Sequence, residues 1–334
     1  MKDDKIHVVL TIFDPRGDYS RHAGVVLLSM FTNTNSSICV HILHDDTLNK
    51  DNREKFIELA EKYKQELDFI DISMNISKLS VDVDKLTRRF TRGSLYRLFI
   101  QDLLLVDKVI YLDCDVVVEL DIKELWDIDL NDCRAGVVFE GEMARGNGGN
   151  SKRRFFCRYA GIDEERYFNS GVLILNLKKI SEDMNICALA SEFFLRYPDT
   201  IVPDQDFLNR VFQENMREID NKFNYFVIGI DDPNMKGKLW HYNKMKPWEI
   251  SKGLQTDALY WRYFSMTPWC SDLISEMTKA HAKSACIHLH SSDCSKTILR
   301  NLIKSFSPKN VTPLYKIMVI WHDIAYRIRK KFKI

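Results

Sequence analysis

The chain predicts an α/β fold in which a mostly parallel sheet carries helices on both faces. Three observations point there. Short apolar runs of strand length recur through the first half, at Ile6–Phe13, Ile38–His44, Leu67–Ile72 and from Lys108 to a strand end at Asp113. Segments with helical spacing separate them. Alternation of this kind builds crossover units, which close into a parallel sheet covered on both sides. With 334 residues, 45% of them hydrophobic, the chain is large enough for one sizeable domain with an appendage.

The first run, IHVVLTIF, reads as a buried strand, and ICVHILH as the second. Between Leu48 and Lys64, Phe56, Leu59, Ala60 and Tyr63 share one face of a helix. Leu67–Ile72 gives a third strand. Leu95–Leu105 reads as one helix feeding the strand that ends at Asp113. Residues 134–140 and 167–177 are further strands, and Gly141–Arg158 between them reads as a long connection, expected to be a mobile active-site loop. Residues 182–196 and 203–213 read as helices, with Pro203 suited to the first helical position. Beyond about residue 250 the pattern becomes a less regular helical region.

Composition narrows the function. A net charge of +1 argues against general nucleic-acid binding. Residues 304–334 hold eight of the 48 Lys+Arg and one of the 47 Asp+Glu, a net of +7 that leaves −6 on the rest. Leu314, Ile317, Trp321, Ile324, Ile328 and Phe332 of this tail recur at spacings of three and four. A basic amphipathic tail of this kind suits an anionic membrane surface, contacted through residues 305–334; the plainer reading is a helix packed on the domain. No N-terminal signal is visible in the charged start Met1–Lys5, and no apolar run reaches a membrane span. The eight cysteines form no CxxC pair and read as reduced thiols, so the expected location is cytoplasmic, peripheral on the inner membrane face if the tail binds there.

The chemistry concentrates at Asp113-Cys114-Asp115, which follows the strand run KVIYL. Residues i and i+2 of extended chain face the same side, roughly 7 Å apart. Two like charges at a strand end are costly unless a cation sits between them. Carboxylate oxygens suit Mg²⁺ or Mn²⁺, ions that commonly bridge to substrate phosphates. Three other stretches stand out in order: Asn169-Ser170-Gly171, Asp204-Gln205-Asp206, and His241-Tyr242 before Lys246-Pro247-Trp248. Each taken singly is a turn, a helix start or a loop. No Gly-x-Gly-x-x-Gly follows the first strand, which argues against a dinucleotide-dependent dehydrogenase.

Together these stretches, with Thr11-Ile12-Phe13-Asp14 and Leu95-Tyr96-Arg97-Leu98, resemble the retaining family 8 glycosyltransferases, over about Ile6 to Trp248. That family includes bacterial cell-surface glycan galactosyl- and glucosyltransferases and the glycogenins. The resemblance implies a GT-A fold, a UDP-sugar donor, a glycan or glycolipid acceptor and a divalent ion, usually Mn²⁺. It makes Asp113, Asp115 and His241 the metal ligands. It places Lys246 on the donor diphosphate, and Arg97 near donor sugar and phosphates. Thr11, Phe13 and Asp14 fall at the nucleotide base and ribose, with Cys114 between the ligands. Asn169, Asp204 and Gln205 fall at the donor sugar and reacting centre, and Glu140 near a carboxylate that touches the sugar. Phe13 takes the place of the first of two acids, and His241–Lys246 is one residue shorter than the usual motif and lacks its Gly.

The expected layout is a transferase domain over residues 1–250, an extension over 251–303 and the tail over 304–334. A catalytically silent sugar-binding scaffold is the alternative, against which the full metal set argues. Two weaker signals remain. Cys286, His288, His290 and Cys294 lack a known structural-zinc spacing and read as strand residues. The aromatics Tyr260–Phe264 with Trp269 read as core packing rather than a sugar platform.

Overall fold

The computed structural model describes residues 5–87, 91–140, 151–229, 232–249 and 253–278. The tail, the Cys286–Cys294 cluster and residues 141–150 of the expected loop lie outside them. The described chain divides into two compact units. One takes the residues up to Phe226 together with Asn234–His241; the other takes Val227–Pro233 and the residues from Tyr242 onward.

The first unit is organised by a seven-stranded mixed sheet. Its strands are β1 (Ile6–Ile12), β2 (Ile38–His44), β3 (Glu66–Asp71), β4 (Lys108–Leu112), β6 (Ala135–Val137), β7 (Val172–Asn176) and β8 (Met216–Glu218), in the order β3-β2-β1-β4-β7-β6-β8. All pairings are parallel except those of β7 with β4 and β6. Every residue of β1 is buried, as suits a central parallel strand whose run is apolar but for His7 and Thr11. Val9, Leu43, Tyr111 and Leu173 share one packed core with the helices Ile186–Arg196 and Pro203–Phe212. Val8, Leu10, Ile110 and Ile42 are equally buried, and helix α1 (Ser20–Asn33) contacts β1. Helix α2 (Lys50–Tyr63) begins at Asn49, whose side chain caps Asn52 N.

Several boundaries differ from the sequence reading, each for a physical reason. β4 stops at Leu112, as expected of a strand ending at Asp113, but the valines that follow, β5 (Val116–Val118), leave for a second sheet of order β5-β10-β9. There β10 (Leu239–His241) pairs antiparallel with β5 and parallel with β9 (Tyr225–Phe226). Leu95–Leu105 is not one helix. It is two single turns, Gly93–Tyr96 and Ile100–Leu103, joined by the 3₁₀ turn Arg97–Phe99, in which the buried Arg97 reaches back to Asp113. Residues 151–158 of the expected loop belong to the helix Ser151–Ala160, because Phe156, Cys157 and Ala160 recur at helical spacing and are buried. Residues 182–196 hold the end of one helix and the whole of another, Ile186–Arg196, which Asn185 caps through Ala188 N. The helix Pro203–Phe212 carries its proline at the start, as expected.

In the second unit Tyr260, Tyr263, Phe264 and Trp269 are buried, and Trp248 packs on Tyr260 at 4.7 Å between ring centroids. The aromatic cluster is therefore core. No described helix is long and apolar enough to cross a membrane.

Candidate active site

The carboxyl ends of β1 and β4 meet the start of the antiparallel β7, and the candidate residues gather there. Asp113 follows β4 directly, and its backbone N–H donates to Gly171 O at 2.7 Å. The turn brings Asp113 and Asp115 towards His241, the last residue of β10. His241 Nε2 lies 3.1 Å from Asp115 Oδ1 and 4.0 Å from Asp113 Oδ2. One ligand atom from each of the three falls within 4.8 Å of the others.

Three features show that this group fits a cation. His241 Nδ1 is 2.8 Å from Asn224 Oδ1, which takes its proton and leaves the Nε2 lone pair facing the carboxylates. Gly171 sits behind the group: a Cβ there would stand 2.4 Å from His241 Cε1 and 2.6 Å from Asp113 Oδ2, so only glycine lets the ligands converge. Two oxygens with one imidazole nitrogen form a donor set on the harder side, suited to Mn²⁺.

Arg97 supplies the fixed positive charge. It is buried, with Nη2 donating to Asp113 Oδ1 at 2.7 Å and Nη1 to Ser170 O at 2.7 Å, and its Nε lies 3.4 Å from Asp204 Oδ2. Burial alone would lower the guanidinium pKa, but Asp113, Tyr111 and Asp204 around it outweigh that, so it is raised. Burial raises the Asp204 carboxyl, with Arg97 opposing, while Ser170 Oγ donates to it at 3.1 Å. Tyr111 donates its hydroxyl to Asp113 at 2.7 Å and meets Thr11 Oγ1 at 3.1 Å. Cys114 is buried, its thiol donating to Thr11 O at 3.3 Å.

A continuous amide network runs from the histidine to a charged pair. Asn224 Nδ2 donates to Asn169 Oδ1 at 3.0 Å, and Asn169 Nδ2 to Gln205 Oε1 at 3.0 Å. Gln205 Oε1 also accepts Ser170 N at 3.0 Å, and Gln205 Nε2 donates to Glu140 Oε1 at 3.0 Å. Glu140 pairs in turn with Arg153, whose guanidinium lies over the Tyr167 ring. Asp206 accepts Tyr167 OH, Thr200 Oγ1 and the amides of Ile201 and Val202, which fixes the turn that delivers Asp204 and Gln205.

The structure thus brings together Arg97, Asp113, Cys114, Asp115, Asn169, Asp204, Gln205 and His241, with Thr11 and Glu140 at the edges of the same network. Phe13 lies just past β1, half-buried. Asp14 is buried, and its carboxylate accepts from Tyr19 N, Ser20 N, Ser20 Oγ and Asn52 Nδ2, so it anchors the start of α1. Lys246 belongs to the second unit, where its ammonium lies 5.6 Å from the Trp248 ring centre. The sequence reading missed Asn224, and it marked the stretches that hold Ser170, Tyr111 and Gly171 without giving those residues a role. Asn224 lies in a short 3₁₀ turn with no motif around it. Gly171 stood in a stretch already singled out, and the adjoining strand start was its only signal.

A mixed sheet of this order, with acidic residues where its strands end, places the chain in the GT-A class of folds. The structure is similar to that of the galactosyltransferase LgtC in complex with donor and acceptor sugar analogues, with a TM-score of 0.64 at 23% identity over 80% of this chain and 99% of that one. The family model described as glycosyl transferase family 8 matches residues 11–251, and the chain belongs to that family. It is therefore a glycosyltransferase. Relatives include general stress protein A of Bacillus subtilis, 25% identical over 80% of this chain and 96% of the relative. Another is the lipopolysaccharide 1,3-galactosyltransferase of Salmonella typhimurium, 25% identical over 80% of this chain and 81% of the relative. The chain spans only 45% of the longer glycosyltransferase GlyB of Streptococcus pneumoniae, at 24% identity over 56% of this chain.

Proposed function

We propose that this glycosyltransferase moves a hexose, galactose or glucose, from a UDP-sugar to a glycan of a cell-surface polysaccharide, lipopolysaccharide or glycoconjugate, with retention of configuration and with Mn²⁺ at Asp113, Asp115 and His241. The observation that carries the reading is the convergence of those three ligand groups at the carboxyl end of the sheet. A bound ion there would neutralise the diphosphate as the leaving group forms. Arg97 holds Asp113 in place and keeps a positive charge beside the donor. Lys246 is assigned to the diphosphate from the sequence pattern. Thr11, Phe13 and the backbone at Asp14 form the nucleotide end.

For retention we favour front-face attack. The sequence assigns Gln205 to the reacting centre through its carbonyl. In the structure that oxygen already accepts from Asn169 and Ser170, so Gln205 serves by fixing Asn169 and Glu140. Asp204, buried beside Arg97, orients sugar hydroxyls. An amide is in any case a poor nucleophile.

The acceptor reading gives the basic tail a purpose, since a lipid-linked glycan would hold the enzyme at the cytoplasmic membrane face. Co-sedimentation with anionic vesicles at low and high salt, with and without residues 305–334, tests it; binding unchanged by the deletion rejects it. The main test is hydrolysis of a panel of nucleotide sugars by the purified chain with Mn²⁺. Turnover should require the ion and one UDP-sugar; equal turnover in EDTA would overturn the metal assignment.

A further inference from the structure

The opposite end of the same sheet carries a second set of ligand-type side chains. His7 of β1 stands directly beside Cys39 of β2 in the parallel register, and His41 lies two residues further on the same face. One donor atom from each of His7, Cys39 and His41 falls within 4.8 Å of the others. His7 Nδ1 and His41 Nε2 are 3.0 Å apart, and the two rings stack with centroids 5.3 Å apart. Both histidines are buried, while Cys39 is half-buried. The other nitrogen of His41, Nδ1, lies 3.1 Å from Asp68 Oδ2 on β3, the next strand across. A carboxylate so placed takes the Nδ1 proton, fixes the ring and leaves the Nε2 lone pair turned towards His7 and Cys39. This is how metal-binding histidines are commonly oriented.

We propose that His7 Nδ1, Cys39 Sγ and His41 Nε2 form a second metal site that takes a borderline-soft divalent ion, with zinc the best fit. Two imidazoles and a thiolate suit zinc, whereas Mn²⁺ and Mg²⁺ favour oxygen. The two sites therefore sort different ions by donor chemistry. Three protein ligands leave one tetrahedral position, which the partial exposure of Cys39 opens to a water. Binding releases one proton to solvent, from the Cys39 thiol, while His7 moves its ring proton from Nδ1 to Nε2. Zinc–nitrogen bonds of about 2.0–2.1 Å put two tetrahedral nitrogens a few tenths of an ångström further apart than they now stand, a small opening of the stacked pair. The ion would tie β1 to β2 and, through Asp68, to β3. Its role is structural, because it sits at the end of the strands away from the candidate active site.

The test uses the full chain stripped with a chelator and then titrated with Co²⁺ as a spectroscopic substitute for zinc. Co²⁺ bound at this site should give a thiolate-to-metal charge-transfer band in the near ultraviolet, displaced by Zn²⁺ and retained in Asp115→Ala, where the other site is disabled. Cys39→Ser should lose the band, and Asp68→Asn should weaken the affinity by roughly 10–100-fold. In the unmodified chain Zn²⁺ should slow alkylation of Cys39 by iodoacetamide, mapped by mass spectrometry, and should raise the melting temperature. His41→Gln should lose that rise. A wild-type chain without the band, a band that survives Cys39→Ser, or Cys39 alkylation unaffected by Zn²⁺ would each reduce the cluster to a hydrogen-bonded histidine pair and overturn the proposal. The alkylation arm needs no variant, so a substitution that fails to fold leaves the test intact.

Discussion

At the carboxyl end of the sheet the candidate active site draws on a turn, two 3₁₀ segments, a strand start, a strand end and a helix start, and a hydrogen-bond network spans the gaps between them. At the amino end His7, Cys39 and His41 come together through strand register alone, with one carboxylate behind them. The first arrangement is held by polar groups far apart in sequence, so each support can be removed separately. The second depends on a backbone ladder that no single side chain controls. The carboxyl-end site should therefore respond steeply and specifically to substitution of its supports, and the amino-end cluster chiefly to loss of its own ligands.

The largest effect is expected from Asp115→Ala. It removes a proposed metal ligand and should bring metal-linked UDP binding and sugar transfer below detection, while relieved repulsion beside Asp113 keeps the fold. Calorimetric titration of UDP with and without Mn²⁺ checks this, and wild-type turnover in EDTA would refute it. Next comes Gly171→Ala, whose methyl group would meet His241 and Asp113 well inside contact distance. It should cost about 1–3 kcal/mol of stability, as overpacking does, and displace the ligands, so metal affinity falls as well. Loss of stability with unchanged metal affinity would show that the ligands can shift freely. Asn224→Ala removes the acceptor behind His241 and should weaken Mn²⁺ binding by roughly 10–100-fold with little change in fold. Equal affinity by metal titration would show that His241 needs no support.

The smallest effect concerns pH. Burial raises the Asp204 carboxyl above its ordinary value of 3.8. A raised carboxyl favours the protonated native state, so its contribution is fully present below the ordinary value and is lost as pH rises through the raised one. Asp204→Asn removes that loss. Between about pH 4 and pH 7 the stability difference from wild type should drift in the variant's favour, read by urea unfolding. A flat difference would place the Asp204 carboxyl at its ordinary value.

Much of this was legible in the sequence where the signal was local. The buried runs at Ile38–His44 and Ile6–Ile12 announced central strands because a strand covered on both faces is mostly apolar along its length. The candidate ligands Asp113, Asp115 and His241, which the structure brings within 4.8 Å of one another, were legible because the family pattern marks them. The interrupted segment Gly93–Leu103 was not, because the need to aim Arg97 at Asp113 overrides a helical pattern that looks continuous. Nor was the departure of Val116–Val118 into a second sheet, since three valines after a turn look the same whichever sheet receives them. The roles of Asn224 and Ser170 depend wholly on contacts between distant segments. The His7–Cys39–His41 cluster could not have been found from spacing either, since it appears only when the parallel register of β1 and β2 is known.

The pairing of β10 with β5 has a consequence for the order in which the molecule is made. Four strands of the main sheet, β1 to β4, come from the first 112 residues, whereas His241 arrives with β10. At the usual pace of synthesis, about 5–20 residues per second, the interval is on the order of ten seconds. During it the nascent chain holds Asp113 and Asp115 side by side without their histidine. Arg97, made just before them, is the cation already at hand, and its bond to Asp113 lets the early strands settle before any ion is recruited. With an ion held by those three residues, capacity to bind it would arise only once translation has passed residue 241.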